Sequence, residues 1–375
     1  MQALAYARHL VSFGSISRTS NVPVTDFAEQ TLRELGFAIE RLEYDDAQGV
    51  RKACVIAKKG PGTGGLAYFG HTDVVPADSW NSTAQGPFEP TVKDGRLYGR
   101  GSCDMKGSIA CMWAAAAQVP PEKLKRPIYV ICTADEEIGY CGAKEVVERS
   151  RLYREIVAGN SRGIVGEPTC LEVVYAHKGT YGFRAISQGR AAHSSTNRGI
   201  NANLAMIPFL AEMRTIHDEL EGDAAWQNSE FDPPGVSWNI GINDHTSAIN
   251  ITPPQSICTV YFRPMPGQDA EVLMQRARSA AERCGIEFKR EHSGQPLYVD
   301  PQSAFVQEVL RLADRSAPRT VAYGTDGAML GELQHILVLG PGDIAQAHTS
   351  DEWIALEQLE LGTALYARLI AHFCC

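Results

Sequence analysis

Apolar side chains recur along this chain first with helical and then with extended spacing. Residues 2–13 and 25–36 carry them every three to four positions, which predicts two amphipathic helices. The second opens at Thr25, places Asp26 and Glu29 in its first turn and stops at Gly36. Residues 37–44 and 53–57 read as strands, and the apolar run 66–69, bounded by glycines, reads as a buried strand. A helix of small residues follows over 108–118, then apolar strands over 127–133 and 163–166. Around Val173 the character changes. Strand alternation covers 175–186 and 237–264, and helical spacing covers 201–221 and 270–284. From 287 the earlier pattern resumes, with a helix over 303–315, a strand over 336–339 and a last helix from 356. The order predicts an α/β fold, a mixed sheet flanked by helices, formed by residues 1–174 and 287–375. An α+β domain is inserted over 175–286.

The length of 375 residues agrees with two domains. A formal net charge of −9 argues against a nucleic-acid partner, and no basic run marks a membrane-surface patch. No apolar stretch approaches the ~20 residues that span a bilayer, and the first residues lack a basic region followed by a hydrophobic block, so a cytoplasmic protein is expected. The ten cysteines are scattered, with Cys54, Cys132 and Cys258 inside apolar strands and no CxxC pair, which predicts reduced, mostly buried thiols. Residues 60–65, Gly-Pro-Gly-Thr-Gly-Gly, match the glycine fingerprint of dinucleotide-binding proteins. A strand rather than a helix follows them, so they are read as a hairpin loop.

Candidate chemistry gathers where the buried strands end. Gly70-His71-Thr72-Asp73 places an imidazole and a carboxylate at the mouth of one strand, Ala134-Asp135-Glu136-Glu137 follows a second, and Glu167 follows a third. Side chains at the ends of separate strands converge in an α/β sheet, and such ends are where ligands bind. Taken singly, each has a plainer reading: His71 and Asp73 as a strand-end pair, and Asp104, just ahead of the 108–118 helix, as an N-cap carboxylate.

Six motifs in order, Gly-His71-Thr-Asp73-Val-Val-Pro, Gly-Arg-Gly-Ser-Cys-Asp104-Met-Lys-Gly, Asp-Glu136-Glu137, Gly-Glu167-Pro, Ala-Ala-His193-Ser-Ser and Gln-Ala-His348, resemble the di-zinc amidohydrolase and metallopeptidase family. That family includes acetylornithine deacetylases, succinyl-diaminopimelate desuccinylases, aminoacylases and carboxypeptidases. Residues 165–169, 176–179, 262–267 and 339–348 most resemble the acetylornithine deacetylase branch. The resemblance implies a zinc-peptidase-like fold with a ferredoxin-like inserted domain that forms a homodimer, and two zinc ions, replaceable by cobalt or manganese. It implies that His71 and Glu167 hold one ion and His348 and Glu137 the other, with Asp104 bridging and Asp73 orienting His71. Glu136 would be the general base for attack of a zinc-bridged water on the amide of an N-acyl amino acid. A cis peptide after Asp104 is also implied.

The resemblance further implies that His193 reaches the site from the second subunit and donates to the developing oxyanion. Arg263 would receive the substrate α-carboxylate, while Asn250 and the loop containing Thr325 and Gly327 would contact the substrate. For His193 and Asn250 the plainer readings are a surface histidine and a side-chain-to-backbone bond. Two other classes stay open: an inactive metal-binding protein, disfavoured because base and ligands are all present, and a nucleotide-binding module, disfavoured because no GK[ST] loop occurs.

Overall fold

The computed structural model describes residues 2–81, 85–246 and 248–375. They form two compact units: residues 1–176, 297–319 and 325–375, and residues 177–296 with 320–324.

The first unit is built on a mixed sheet whose strands lie in the order Ala38–Asp45, Arg51–Lys59, Ile128–Thr133, Leu66–His71, Arg162–Val165, Ile336–Val338, Val174–His177 and Leu297–Tyr298. The four from Ile128–Thr133 to Ile336–Val338 run parallel. Leu66–His71 and Ile128–Thr133 are buried at every position, as parallel strands covered on both faces must be. Arg51–Lys59 shows what covers them. Cys54 points to the carbonyl of Gly142 in helix Cys141–Arg149, whereas Lys59, on the opposite face by strand alternation, donates to the carbonyls of Ala116 and Val119. The latter carbonyls close helix Gly107–Ala117. That helix is small and apolar on all sides and buried along almost its whole length, which lets Gln2–Val11, Val22–Glu34 and Leu356–Cys374 gather around it.

Several boundaries move from those expected. The second helix spans Val22–Glu34, opening with a proline in its first turn, because Asn21 is held outside it by hydrogen bonds to the main chain of Ala53. The strand expected over 53–57 runs through Arg51–Lys59. The loop 60–65 is not a hairpin: Ile128–Thr133 lies between the two strands it joins, so the chain crosses from one side of that strand to the other. All ten cysteines are free thiols.

The second unit carries Thr180–Gln188, helix Asn203–Gly222, Ser237–Asn243, Gln255–Arg263, helix Ala270–Arg283 and Glu287–Gly294. Its four strands form an antiparallel sheet with Thr180–Gln188 between Gln255–Arg263 and Glu287–Gly294, the ferredoxin-like arrangement. The strand alternation expected over 237–264 belongs to two antiparallel strands, Ser237–Asn243 and Gln255–Arg263. The unit also extends beyond 286 to Pro296, because Glu287–Gly294 supplies the fourth strand of this sheet. Among the described residues no helix is long and apolar enough to cross a membrane.

Candidate metal centre

Three neighbouring parallel strands end at the same sheet edge. His71 is the last residue of one, Asp135 to Glu137 follow the second and Glu167 follows the third. Opposite them, Ser102–Lys106 forms a wide irregular turn ahead of the central helix, and the peptide between Asp104 and Met105 is cis. Gly101, which enters this turn at φ +83°, has no room for a side chain: a Cβ there would lie 2.6 Å from Val74.

The carboxylate of Asp104 lies between two sets of ligands. Its Oδ1 is 3.0 Å from Nε2 of His71, which is also 3.6 Å from Glu167 Oε1. Its Oδ2 is 3.3 Å from Nε2 of His348, which is 3.1 Å from Glu137 Oε2. Atoms bound tetrahedrally at ~2.1 Å to one divalent cation stand about 3.4 Å from one another, so each set has the spacing of donors around a common ion. Nitrogen and carboxylate donors suit a first-row divalent metal, and the residues fit a pair of such ions that share Asp104.

The charges agree. Burial drives the Glu136 and Glu167 carboxyls far above the usual carboxylate range and raises Glu137 as well. Burial also opposes ionisation of Asp104, but His348 and His71 outweigh it and hold Asp104 low. His71 is buried, which works against its charge, yet Asp104 and the nearby Glu167 and Glu136 raise it well above the ordinary imidazole value. Asp104 and Glu137 raise His348 to about 10. Four crowded carboxyl groups thus face two imidazoles, and the site holds extra protons that bound cations would displace on ionising the cluster.

Residues behind the ligands fix them. Nδ1 of His71 donates to the main-chain carbonyl of Asp73 at 2.9 Å, leaving Nε2 as the ligand atom. The Asp73 carboxylate was expected to orient this ring. It lies 3.7 Å from Nδ1 and instead accepts from the N–H groups of Glu136 and Glu137 and from Ser17. Asp73 therefore orients the histidine through its backbone and the acidic loop through its side chain. Behind that loop, buried Lys52 donates to Asp135 at 2.5 Å.

Glu352 escaped the sequence reading. It is 1% exposed, and its two oxygens accept from the N–H groups of Gly101, Cys103 and Asp104 and from Arg100, all at 2.8–3.0 Å. It holds the turn that presents Asp104. Asp326, in the loop expected to contact the substrate, accepts from Thr133 Oγ1 at 2.6 Å, and burial raises its carboxyl to about 6.

Glu136 differs from its neighbours in the cluster. It is 8% exposed, and among the described residues no histidine nitrogen lies within 4.0 Å of its carboxylate, whereas Asp104, Glu137 and Glu167 each have at least one. Thr325 caps, and Gly327 belongs to, the short turn Asp326–Met329 in the loop expected to contact the substrate. Both are buried, Thr325 Oγ1 accepts from the N–H of Gly327, and the Gly327 carbonyl accepts from Leu330, so they shape their own turn.

His193, Asn250 and Arg263 belong to the second unit. There His193 pairs with Ile251 in an isolated bridge, and Ser194 donates to the Asn250 carbonyl at 2.9 Å, which sets two exposed candidates side by side. Arg263 ends strand Gln255–Arg263, and its Nη1 is buried without a hydrogen-bond partner.

The chain is similar to known proteins over nearly its whole length. The chain is 35% identical over 381 residues to an acetylornithine deacetylase of Myxococcus xanthus, covering 97% of this chain and 96% of that protein. It is 33% identical over 385 residues to one from Proteus mirabilis, covering 98% and 95%. Among solved structures, the M20 family metallo-carboxypeptidase Sso-CP2 of Sulfolobus solfataricus superposes with a TM-score of 0.80 at 15% identity, over 100% of this chain and 99% of that one. A Bacillus subtilis protein described as a dinuclear metal-binding peptidase of the M20 family gives 0.66 at 17% identity, over 99% and 97%. The sequence profile of peptidase family M20/M25/M40 matches residues 67–372, and the chain belongs to that family of metal-dependent hydrolases.

Proposed function

We propose that this enzyme hydrolyses the amide bond of an N-acyl amino acid, with N-acetylornithine, yielding ornithine and acetate, as its substrate. The observation that carries the hydrolytic chemistry is the division of Asp104 between two donor sets, with Glu136 beside them, and the similarity to acetylornithine deacetylases supports the substrate. His71, Glu167, His348, Glu137 and the shared Asp104 would hold two zinc ions. When bound, these polarise the scissile carbonyl and bring the pKa of water from 15.7 to about 7.

Glu136 takes the proton of the attacking water and delivers it to the departing nitrogen. Burial suits it to this work, because it raises the carboxyl's pKa and so strengthens it as a proton acceptor. The family resemblance supports His193 of the partner subunit in a homodimer as donor to the oxyanion, with Asn250 as a further substrate contact. It likewise supports Arg263 as the receiver of the α-carboxylate, and its unpartnered Nη1 leaves it a free donor for a bidentate contact. Residues 1–174 with the C-terminal segment form the catalytic domain in this reading, and the inserted domain forms the dimer. Ten unpaired thiols support a cytoplasmic location.

The test is amine release from N-acetylornithine, N-succinyl-diaminopimelate, N-acetylmethionine and a glutamate-terminated dipeptide. The highest kcat/KM is expected for N-acetylornithine. Faster turnover of another member would move the substrate and keep the chemistry, whereas no turnover of any member by enzyme carrying two metal ions would overturn the reading.

A further inference from the structure

The three strands that end at the metal centre begin at a cavity of their own. Leu66–His71 starts just after Gly65, Ile128–Thr133 just after Arg126 and Pro127, and Arg162–Val165 at Arg162 itself. These starts line a cavity of about 480 Å³, together with Thr63, Glu308 and His372. That volume falls in the range of small-molecule sites.

Its charge is unbalanced. Neither Arg126 nor Arg162 has an acidic partner within 4.0 Å among the described residues. The carboxylate in the cavity, Glu308, is instead 3.9 Å from His372. Arg162 donates through Nη1 to the Asn160 carbonyl, and its Nε is buried with no partner. A buried guanidinium N–H without an acceptor is costly, and two uncompensated arginines stand out in a chain of net charge −9. The glycine loop supplies the rest of the wall. Gly64 and Gly65 have φ of +81° and +78°, and neither N–H donates a hydrogen bond to another described residue. A Cβ on Gly65 would meet the Pro127 carbonyl at 2.2 Å, so glycine is required for this close approach. Consecutive backbone N–H groups in a left-handed turn favour anions, as does a guanidinium fork.

We propose that this cavity binds a small oxyanion, a phosphate or carboxylate group, held by Arg162 and Arg126 beside the 60–65 loop. The site lies at the opposite ends of the strands from the metal ligands and is separate from the proposed reaction.

The test is calorimetric titration of the metal-loaded enzyme with inorganic phosphate and, separately, with malonate. The same titrations on Arg126→Gln, Arg162→Gln and Arg162→Lys separate this site from anion binding at the metals. Arg126 is exposed, so its variant keeps the fold even if Arg162→Gln does not. The expected result is a saturable event in the wild type that weakens roughly tenfold or more in Arg126→Gln, is lost in Arg162→Gln and partly recovers in Arg162→Lys. Metal content and kcat in anion-free buffer should be unchanged in Arg126→Gln. The stronger of the two titrants identifies the headgroup. Isotherms for Arg126→Gln and Arg162→Lys that superimpose on the wild type would place all binding at the metals and overturn the proposal, as would no binding of either anion below about 10 mM.

Discussion

His71 and His348 face opposite oxygens of Asp104, yet they stand in different surroundings. The His71 side chain is 1% exposed, at the end of a central strand, with its second nitrogen fixed by a carbonyl and Glu167 buried beside it. The His348 side chain is 53% exposed on a loop, at φ +63°, and its Nδ1 donates to no described residue. A ligand imidazole without an outer partner is less well aimed, and such partners are worth typically ~10- to 100-fold in metal affinity. One half of the centre is therefore set rigidly by the sheet, and the other is open to solvent. The exposed half can be reached from solvent, while the buried half supplies the fixed frame.

The largest effect should come from the residue that belongs to neither half. Glu136→Gln is expected to lower kcat by ~10²- to 10⁴-fold, with metal content unchanged by elemental analysis. A loss of metal in that variant would make Glu136 a ligand and break the division. Next, chelator titration should empty the centre in two steps, the His348 position first, with affinities separated by roughly 10- to 100-fold. A single step with both ions leaving together would show that the difference in burial carries no difference in binding. Smaller still is the effect of Glu352→Gln. It keeps one carbonyl acceptor for the turn around Asp104 but loses the charge facing Arg100, and should weaken metal binding by about tenfold. Unfolding followed with and without metal separates this from a general loss of stability: the metal-free Tm should fall because buried Arg100 loses its counter-charge, and the increment that metal adds should shrink as well.

The buried strands and the residues that end them were legible in the sequence, because an apolar run that stops at His71, at Asp135-Glu136-Glu137 or at Glu167 is locally unusual. What binds those ends together was not. Glu352 stands next to Asp351 in what looks like ordinary surface charge, and its partners lie about 250 positions earlier in the chain. Lys52 and Asp135 are likewise far apart in sequence and meet only when their strands are placed. The glycine run at 60–65 was misread for a related reason. A loop between two strands suggests a hairpin unless it is known that Ile128–Thr133 comes between them. Local patterns reveal periodicity and unusual residues, while strand order and buried polar partners depend on contacts that only the fold creates.

The most direct test of the account is the metal content of Asp104→Ala, measured by elemental analysis beside His348→Ala and wild type. With Asp104 shared between both donor sets, the wild type should hold two ions per chain, His348→Ala one, and Asp104→Ala neither at stoichiometric level. An Asp104→Ala protein that is folded by circular dichroism and still retains two ions would contradict the shared carboxylate on which the whole reading of the site depends.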